Sequence, residues 1–295
     1  MSDAGRVPTV VVTGASGFLG GHLCRALRAR GWEVRALVHR PEAAALPPGV
    51  RVGVADLPDT IDESLLVGSD VVVHAAWATR ETDPQRAERQ NVEGTRRLLE
   101  AARRAGVGRV VFVSSVAADA AAPNHYGRSK AAAERLLDPG RDLVVRPGTI
   151  LARGGGGIFG LMRDLMRKAH VVPLFGGGRQ PLQTVHVDDL CEAIARAIER
   201  GLTGALNVAE PAPLSFRDAL RLAAARMNVR CVFVPLPFAP MLALVKTIER
   251  LGLPSPLRSE SLLGMKGLRA VPVEDDLRRL ELRVRSASET FGEIF

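Results

Sequence analysis

The amino-acid sequence predicts an α/β fold, a doubly wound parallel sheet with helices on both faces. Three observations predict it. Short β-branched runs alternate with helical stretches over residues 8–208. The first run, Thr9 to Thr13, ends in glycines at 14, 17 and 20 and passes directly into a helical stretch, Phe18 to Arg30. Polar residues collect just beyond the later runs, at the strand ends where such sheets bind ligands.

An apolar run closed by glycine reads as a buried strand. Gly14 permits a tight turn, Gly17 lets the backbone approach a ligand, and Gly20 lets the helix pack near the strand. Free N–H groups and the positive end of the helix dipole then suit a pyrophosphate, with Ser16, Phe18 and Leu19 beside it. This turn predicts a dinucleotide and says nothing of its chemistry.

Glu33 to His39 is the second strand, ending in His39 and Arg40. A basic residue here favours the 2′-phosphate of NADP, whereas an acid would bind the ribose of NAD. A solvated loop arginine is the plain alternative. Val50 to Val54 is the third strand, leading into Ala55, Asp56 and Leu57. Asp56 suits an adenine amino group and equally suits an ordinary turn. Asp70 to His74 is the fourth strand, and the small Ala75 and Ala76, with Trp77, let a cofactor lie against its end. A helix over about residues 83–105 carries Asn91 and Gly94, and Gly106 and Gly108 stop it. Arg109 to Ser115 is the fifth strand, ending in the hydroxyls of Ser114 and Ser115.

From Ser129 the chain is strongly helical, with Tyr126 and Lys130 on one turn. Tyr126 is the sole tyrosine and Lys130 one of four lysines. A phenol is a poor base at neutral pH, and a neighbouring ammonium lowers its pKa. Leu143 to Arg146 is the sixth strand, after which Pro147 to Ile150, Thr149 included, pass near the ligand. The glycine run 154–157 reads as a lid hinge or an irregular loop. Residues 158–169 form an amphipathic helix, and Val171 to Gly178 cross towards the substrate side. Asp188 and Asp189 cap a helix to Arg200, Ala205 to Val208 is a strand, and Ser215 with Asp218 looks like a capping box. His186 is read as a packed or solvated residue. Pro235 to Gly252 and Ser255 to Gly264 read as helices. Residues 1–150, with 183–208 returning to them, form the dinucleotide core, and 151–182 with 209–295 form a small, mainly helical substrate-binding cap.

Composition narrows the function. At 295 residues and 46% hydrophobic, the chain can bury a substantial core. A net charge of +8 invites a nucleic-acid partner, but 36 of the 40 basic residues are arginines scattered among acids, and aromatics are 4%. The field favours anionic small molecules instead. Cys24, Cys191 and Cys231 are far apart and lack a Cys-x-x-Cys pair, which suits reduced thiols in a cytoplasmic protein. Strand one begins too early for a signal pattern, and the apolar stretch Val232 to Val245 is broken by three prolines. No integral membrane segment is expected, and a homodimer is left open.

These motifs together resemble the short-chain dehydrogenase/reductase family, in its extended branch with the epimerases and dehydratases. Thr13 to Gly20 is similar to the family's glycine motif, Ala55-Asp56-Leu57 to its adenine segment, and His74-Ala75-Ala76 to its strand-four segment. Asn91 to Thr95, Tyr126-x-x-x-Lys130, Arg146-Pro147-Gly148 and His186 to Leu190 match further segments, over residues 7–210. The resemblance implies a Rossmann core. It implies Tyr126 as general acid/base, Ser115 as the group that orients the substrate oxygen, and Lys130 as holder of the nicotinamide ribose. Asn91 is implied to support a proton-relay water.

The chain departs from the sugar-nucleotide enzymes of that family. Gly148-Thr149 stand where those carry an asparagine, and Leu182 where they carry an arginine; both groups grip the pyrophosphate. Arg153 or Arg179 could replace them. The expected function is an NADP-favouring oxidoreductase, with NAD open, that acts on a carbonyl or secondary alcohol of a small or moderately apolar substrate. The alternatives are a nucleotide-sugar epimerase or dehydratase with tightly bound NAD, and a non-catalytic NADP-binding structural or sensor protein.

Overall fold

The computed structural model describes residues 7–79, 81, 83–253, 255 and 257–295. The chain divides into two compact units. The first gathers Met1–Ser115, Ser129–Arg146 and Val187–Leu206; the second gathers Val116–Arg128, Pro147–His186 and Asn207–Phe295.

The first unit is built on a sheet whose strands are β1 (Thr9–Thr13), β2 (Glu33–Val38), β3 (Arg51–Asp56), β4 (Thr60–Ile61), β5 (Val71–His74), β6 (Arg109–Val113), β7 (Leu143–Pro147) and β12 (Gly204–Val208). Their order is β12-β7-β6-β5-β1-β2-β3-β4. From β7 to β3 every pairing is parallel, as crossover connections require. The order runs outward from β1 to one side and from β5 to the other, so the reversal lies between these two strands. A sheet of this kind binds ligands at that point, beyond the carboxyl ends of the strands. All five residues of β1 are buried, which explains the unbroken apolar run in place of an alternating one.

Helices cover this sheet: α1 (Phe18–Ala29), α2 (Pro84–Glu88), α3 (Gly94–Arg104) and α6 (Val187–Glu199). The helix expected over 83–105 is divided. Asp83 caps α2, and a π turn over Arg89–Glu93 joins it to α3. Such turns insert a residue and concentrate at functional sites. Leu65, Leu98, Leu99 and Phe112 pack on one face of the sheet, each worth roughly 1.5–3 kcal/mol when fully buried. Cys24 and Cys191 are buried, and burial pushes both thiols up to about 12.

The second unit holds β8 (Thr149–Leu151), β9 (Val171–Phe175), β10 (Pro181–Leu182), β11 (Thr184–His186), β13 (Leu214–Ser215) and β14 (Val232–Leu236) in three two-stranded pairs. Helices α5 (Gly157–Lys168), α7 (Phe216–Arg226), α8 (Phe238–Arg250), α9 (Ser259–Lys266), α10 (Glu274–Leu280) and α11 (Ala287–Ile294) complete it. Phe159 lies edge-on to Phe216 at 5.8 Å and within 5.9 Å of Phe291, in a core with Met162, Met166, Val172 and Leu174. Buried Glu210 ties the unit together: it accepts from the Thr184 amide and hydroxyl at 3.1 and 2.8 Å and from the Ala287 amide at 2.7 Å.

One expectation needs adjustment here. The helix expected from Pro235 starts at Phe238, because Val232 to Leu236 pair with β9 as a strand. Prolines at 235 and 237 hold their neighbours extended, and the alternation of Val232 and Val234 was the overlooked signal. Ser215 does cap α7, accepting from the Asp218 amide at 3.1 Å. No helix among the described residues is long and apolar enough to cross a membrane.

Candidate functional site

A cleft of about 340 Å³ opens in the first unit where the strand order reverses. Its walls are Gly14, Ser16 and Gly17 from the β1–α1 turn, Leu37 and His39 from β2, and Ala55, Asp56 and Leu57 from β3. The segment after β5 adds Ala75, Ala76, Trp77 and Ala78, and the π turn adds Gln90 and Asn91.

The turn is shaped by what its glycines lack. Gly14 has φ +66°, and a Cβ there would lie 2.7 Å from Ala76 Cα. A Cβ on Gly20 would come within 2.2 Å of the Gly14 carbonyl oxygen. Helix α1 begins at Phe18 with Gly17 as N-cap, no side-chain cap and no acid in its first turn. Its first amides and positive dipole end therefore face the cleft mouth without a competing carboxylate. Phe18 and Ser16 are exposed, Leu19 is half-buried and Gly20 is buried.

Behind the cleft a buried chain of hydrogen bonds fixes β5 to β1. His74 Nδ1 lies 2.7 Å from Thr13 Oγ1, and its Nε2 lies 3.0 Å from Thr95 Oγ1. Burial, and secondarily the charge of Lys130, push this imidazole down to about 3, so it is neutral. Thr13 Oγ1 in turn accepts from the Ala76 amide at 3.3 Å. Asn91 is buried, and its Oδ1 accepts from the Ala78 amide at 2.7 Å, which holds the loop after β5. At the far end of the cleft, His39 Nδ1 stands 3.1 Å from Asp56 Oδ1. Arg40 is exposed beside His39 and does not line the cleft.

Helix α4 (His125–Glu134) carries Tyr126 and Lys130 one turn apart. Tyr126 is half-buried and Lys130 is fully enclosed. Lys130 Nζ donates to the Val113 carbonyl oxygen at 2.6 Å and lies 3.6 Å from the centroid of the Trp77 ring. Phe112 adds a second ring at 4.6 Å. Burial pulls the ammonium well below its ordinary value, and Glu134 offsets this in part.

Ser114 is buried and donates its hydroxyl to Glu134 Oε1 at 2.5 Å, while Arg146 grips the same carboxylate at 2.9 and 2.6 Å. Ser115, half-buried, follows at the same strand end. Pro147 closes β7, and Thr149 opens β8, paired with Thr184. Sequence reasoning missed this Ser114–Glu134–Arg146 clamp, although Glu134 follows Lys130 by four on one helix. Gln90 was missed because no pattern announces a π turn.

Among the described residues, no cluster fits a metal ion. The cleft instead suits a dinucleotide: glycine backbone at the strand end, an uncapped helix start, and small residues after β5. Fold and site are together those of nicotinamide-dependent oxidoreductases of the short-chain type. The chain belongs to the NAD dependent epimerase/dehydratase family, whose sequence profile matches residues 10–209.

Its relatives include a 4-hydroxy-2-methyl-3-oxo-4-farnesyl-3,4-dihydroquinoline-1-oxide ketoreductase of Stigmatella aurantiaca. That protein is 34% identical over 255 residues, covering 77% of this chain and 75% of the relative. A ceramide reductase of Caulobacter vibrioides is 33% identical over 208 residues, which is 68% of this chain but only 64% of that protein. Among solved structures, MoeE5 in complex with UDP-glucuronic acid and NAD matches at TM-score 0.74 and 22% identity, covering 97% of both chains. Human epimerase family protein SDR39U1 with NADPH also matches at 0.74 and 22%, covering 97% of this chain and 98% of that one. The protein is an enzyme that works with a nicotinamide cofactor.

Proposed function

We propose that this enzyme is an NADP-preferring ketoreductase for an apolar, lipid-like substrate. One observation carries the reading. Leu182, at the position where sugar-nucleotide enzymes of the family hold an arginine, is 2% exposed and packs in the core of the second unit. It offers no charge to a pyrophosphate. Gly148 supports this, since a Cβ there would lie 2.5 Å from the Gln183 carbonyl oxygen, leaving no room for the asparagine. The two relatives above are named for a farnesylated quinoline and for ceramide, both apolar.

In this reading Gly14, Gly17 and the start of α1 hold the pyrophosphate, and Asp56 and Leu57 the adenine end. Ala75, Ala76 and Trp77 hold the side towards the nicotinamide. When bound, the cofactor supplies the hydride delivered to the carbonyl carbon. Tyr126 gives its hydroxyl proton to the carbonyl oxygen, and Ser115 donates a hydrogen bond to that oxygen. Lys130 holds the ribose and, as a cation one helical turn away, lowers the pKa of the phenol. Arg40, with His39, meets a 2′-phosphate.

Following nicotinamide absorbance with a panel of long-chain ketones and UDP-sugars, with each cofactor, tests the reading. Oxidation of NADPH by the apolar ketones supports it. Conversion of a UDP-sugar without net cofactor turnover would replace it with the epimerase assignment.

A further inference from the structure

One small sheet of the second unit has two unlike faces. Strands β9 and β14 run parallel, pairing Val171 with Val232 and Pro173 with Val234. Successive side chains point to opposite faces of a strand. Val172 and Leu174 point inward, at 0% and 1% exposure, and Phe233 packs on the same core. Outward stand Val171, Val232 and Val234, exposed by 45%, 64% and 36%. A half-buried ribbon ordinarily presents polar residues to water, so a row of outward valines marks a contact surface.

The charge pattern indicates what covers it. No aspartate or glutamate occurs between Asp164 and Asp188, or between Asp218 and Glu249, and these two stretches supply the whole ribbon. Arg167, Lys168, His170 and Arg230 are all exposed near its start. The Val232 amide donates to the His170 carbonyl at 2.9 Å, which brings His170 beside that end of β14. The Cys231 thiol contacts the Met166 carbonyl oxygen at 3.8 Å, holding the end of α5 against the same point. Aliphatic side chains with cations at one end, on two stretches that themselves carry no acid, complement a bilayer surface rich in anionic headgroups. A second copy of the chain would set the same cationic end against itself across a two-fold axis. Valines also provide no stacking platform for nucleic-acid bases.

We propose that the β9–β14 ribbon docks the protein peripherally on anionic lipid surfaces. The surface stands independently of the ketoreductase reading, and its test needs no turnover. Sedimentation with vesicles of phosphatidylcholine alone, or mixed with phosphatidylglycerol, measures the docking. Binding is expected to the mixed vesicles, to weaken as salt is raised, and to be weak or absent on phosphatidylcholine. Val171→Glu with Val232→Glu should reduce it at least tenfold, and Arg230→Gln or Lys168→Gln about fivefold each. Circular dichroism checks that each variant is folded, and the single-charge variants stand if the double valine variant is not. Equal binding to both vesicle types, no binding to either, or indifference to all of these substitutions would overturn the proposal. So would a dimer, by light scattering, that Val232→Glu dissociates; that result would assign the ribbon to self-association.

Discussion

The Lys130 ammonium sits 3.6 Å from the centroid of the Trp77 indole and donates to the Val113 carbonyl at 2.6 Å. Trp77 thereby borders both the cleft and the cation. A ring face attracts a buried cation by roughly 2 kcal/mol or more, but burial still drives the lysine well below its ordinary value. The unfolded chain therefore holds this proton more tightly than the folded one, and stability rises with pH up to lysine's ordinary pKa of about 10.4. Lys130→Met should abolish turnover yet raise stability at pH 7 by about 1 kcal/mol, with a flatter dependence above neutrality. Urea unfolding at pH 7 and 9 checks this, and a variant less stable at both would show the cation to be structurally required.

His74 gives a second pH signature, on the acid side. Its folded value of about 3, set first by burial and then by Lys130, lies below the ordinary 6.5. Stability from this group is thus complete above pH 6.5 and lost as pH falls towards 3, at up to about 1.4 kcal/mol per pH unit. His74→Gln, which can still bond to the threonines, should unfold with a shallower dependence between pH 6 and 4. An unchanged slope would show that His74 titrates normally.

The proposed preference for NADP is tested at the end of β2. Arg40→Ala should raise the Kd for NADPH by about tenfold and leave that for NADH within about twofold. Titration of cofactor fluorescence measures both. Equal losses would remove the 2′-phosphate role from Arg40 and leave the His39–Asp56 pair, 3.1 Å apart, as the group that sets the ribose pocket.

The glycines of the turn should separate fold from binding. Gly20→Ala places a Cβ 2.2 Å from backbone oxygen, so a loss of about 3 kcal/mol or more is expected. Gly17→Ala meets its nearest atom at 3.1 Å and should cost less stability while weakening the cofactor. Thermal melts with and without NADPH distinguish the two.

The strands of the main sheet were legible because each announces itself locally: β-branched runs such as Val10 to Val12, closed by glycine or a polar end. The cleft residues Gly14, Asp56 and Ala76 were legible for the same reason, since they sit at those ends. Partners distant in sequence were not. Nothing around Trp77 signals that a lysine 53 positions later will lie against its ring, and nothing at Ser114 signals the Glu134–Arg146 clamp. The last two residues of β14, Pro235 and Leu236, fall in the stretch expected to be helical, because the strand's partner, β9, is set by tertiary pairing that local sequence does not announce.

The central claim is that Tyr126 moves the proton in a nicotinamide-dependent carbonyl reduction. Comparing Tyr126→Phe with the parent enzyme, for NADPH oxidation by an apolar ketone and for NADPH affinity, tests it most directly. The account predicts a loss of turnover of at least about a thousandfold, with the Kd for NADPH changed by less than about threefold. Turnover within tenfold of the parent would contradict it.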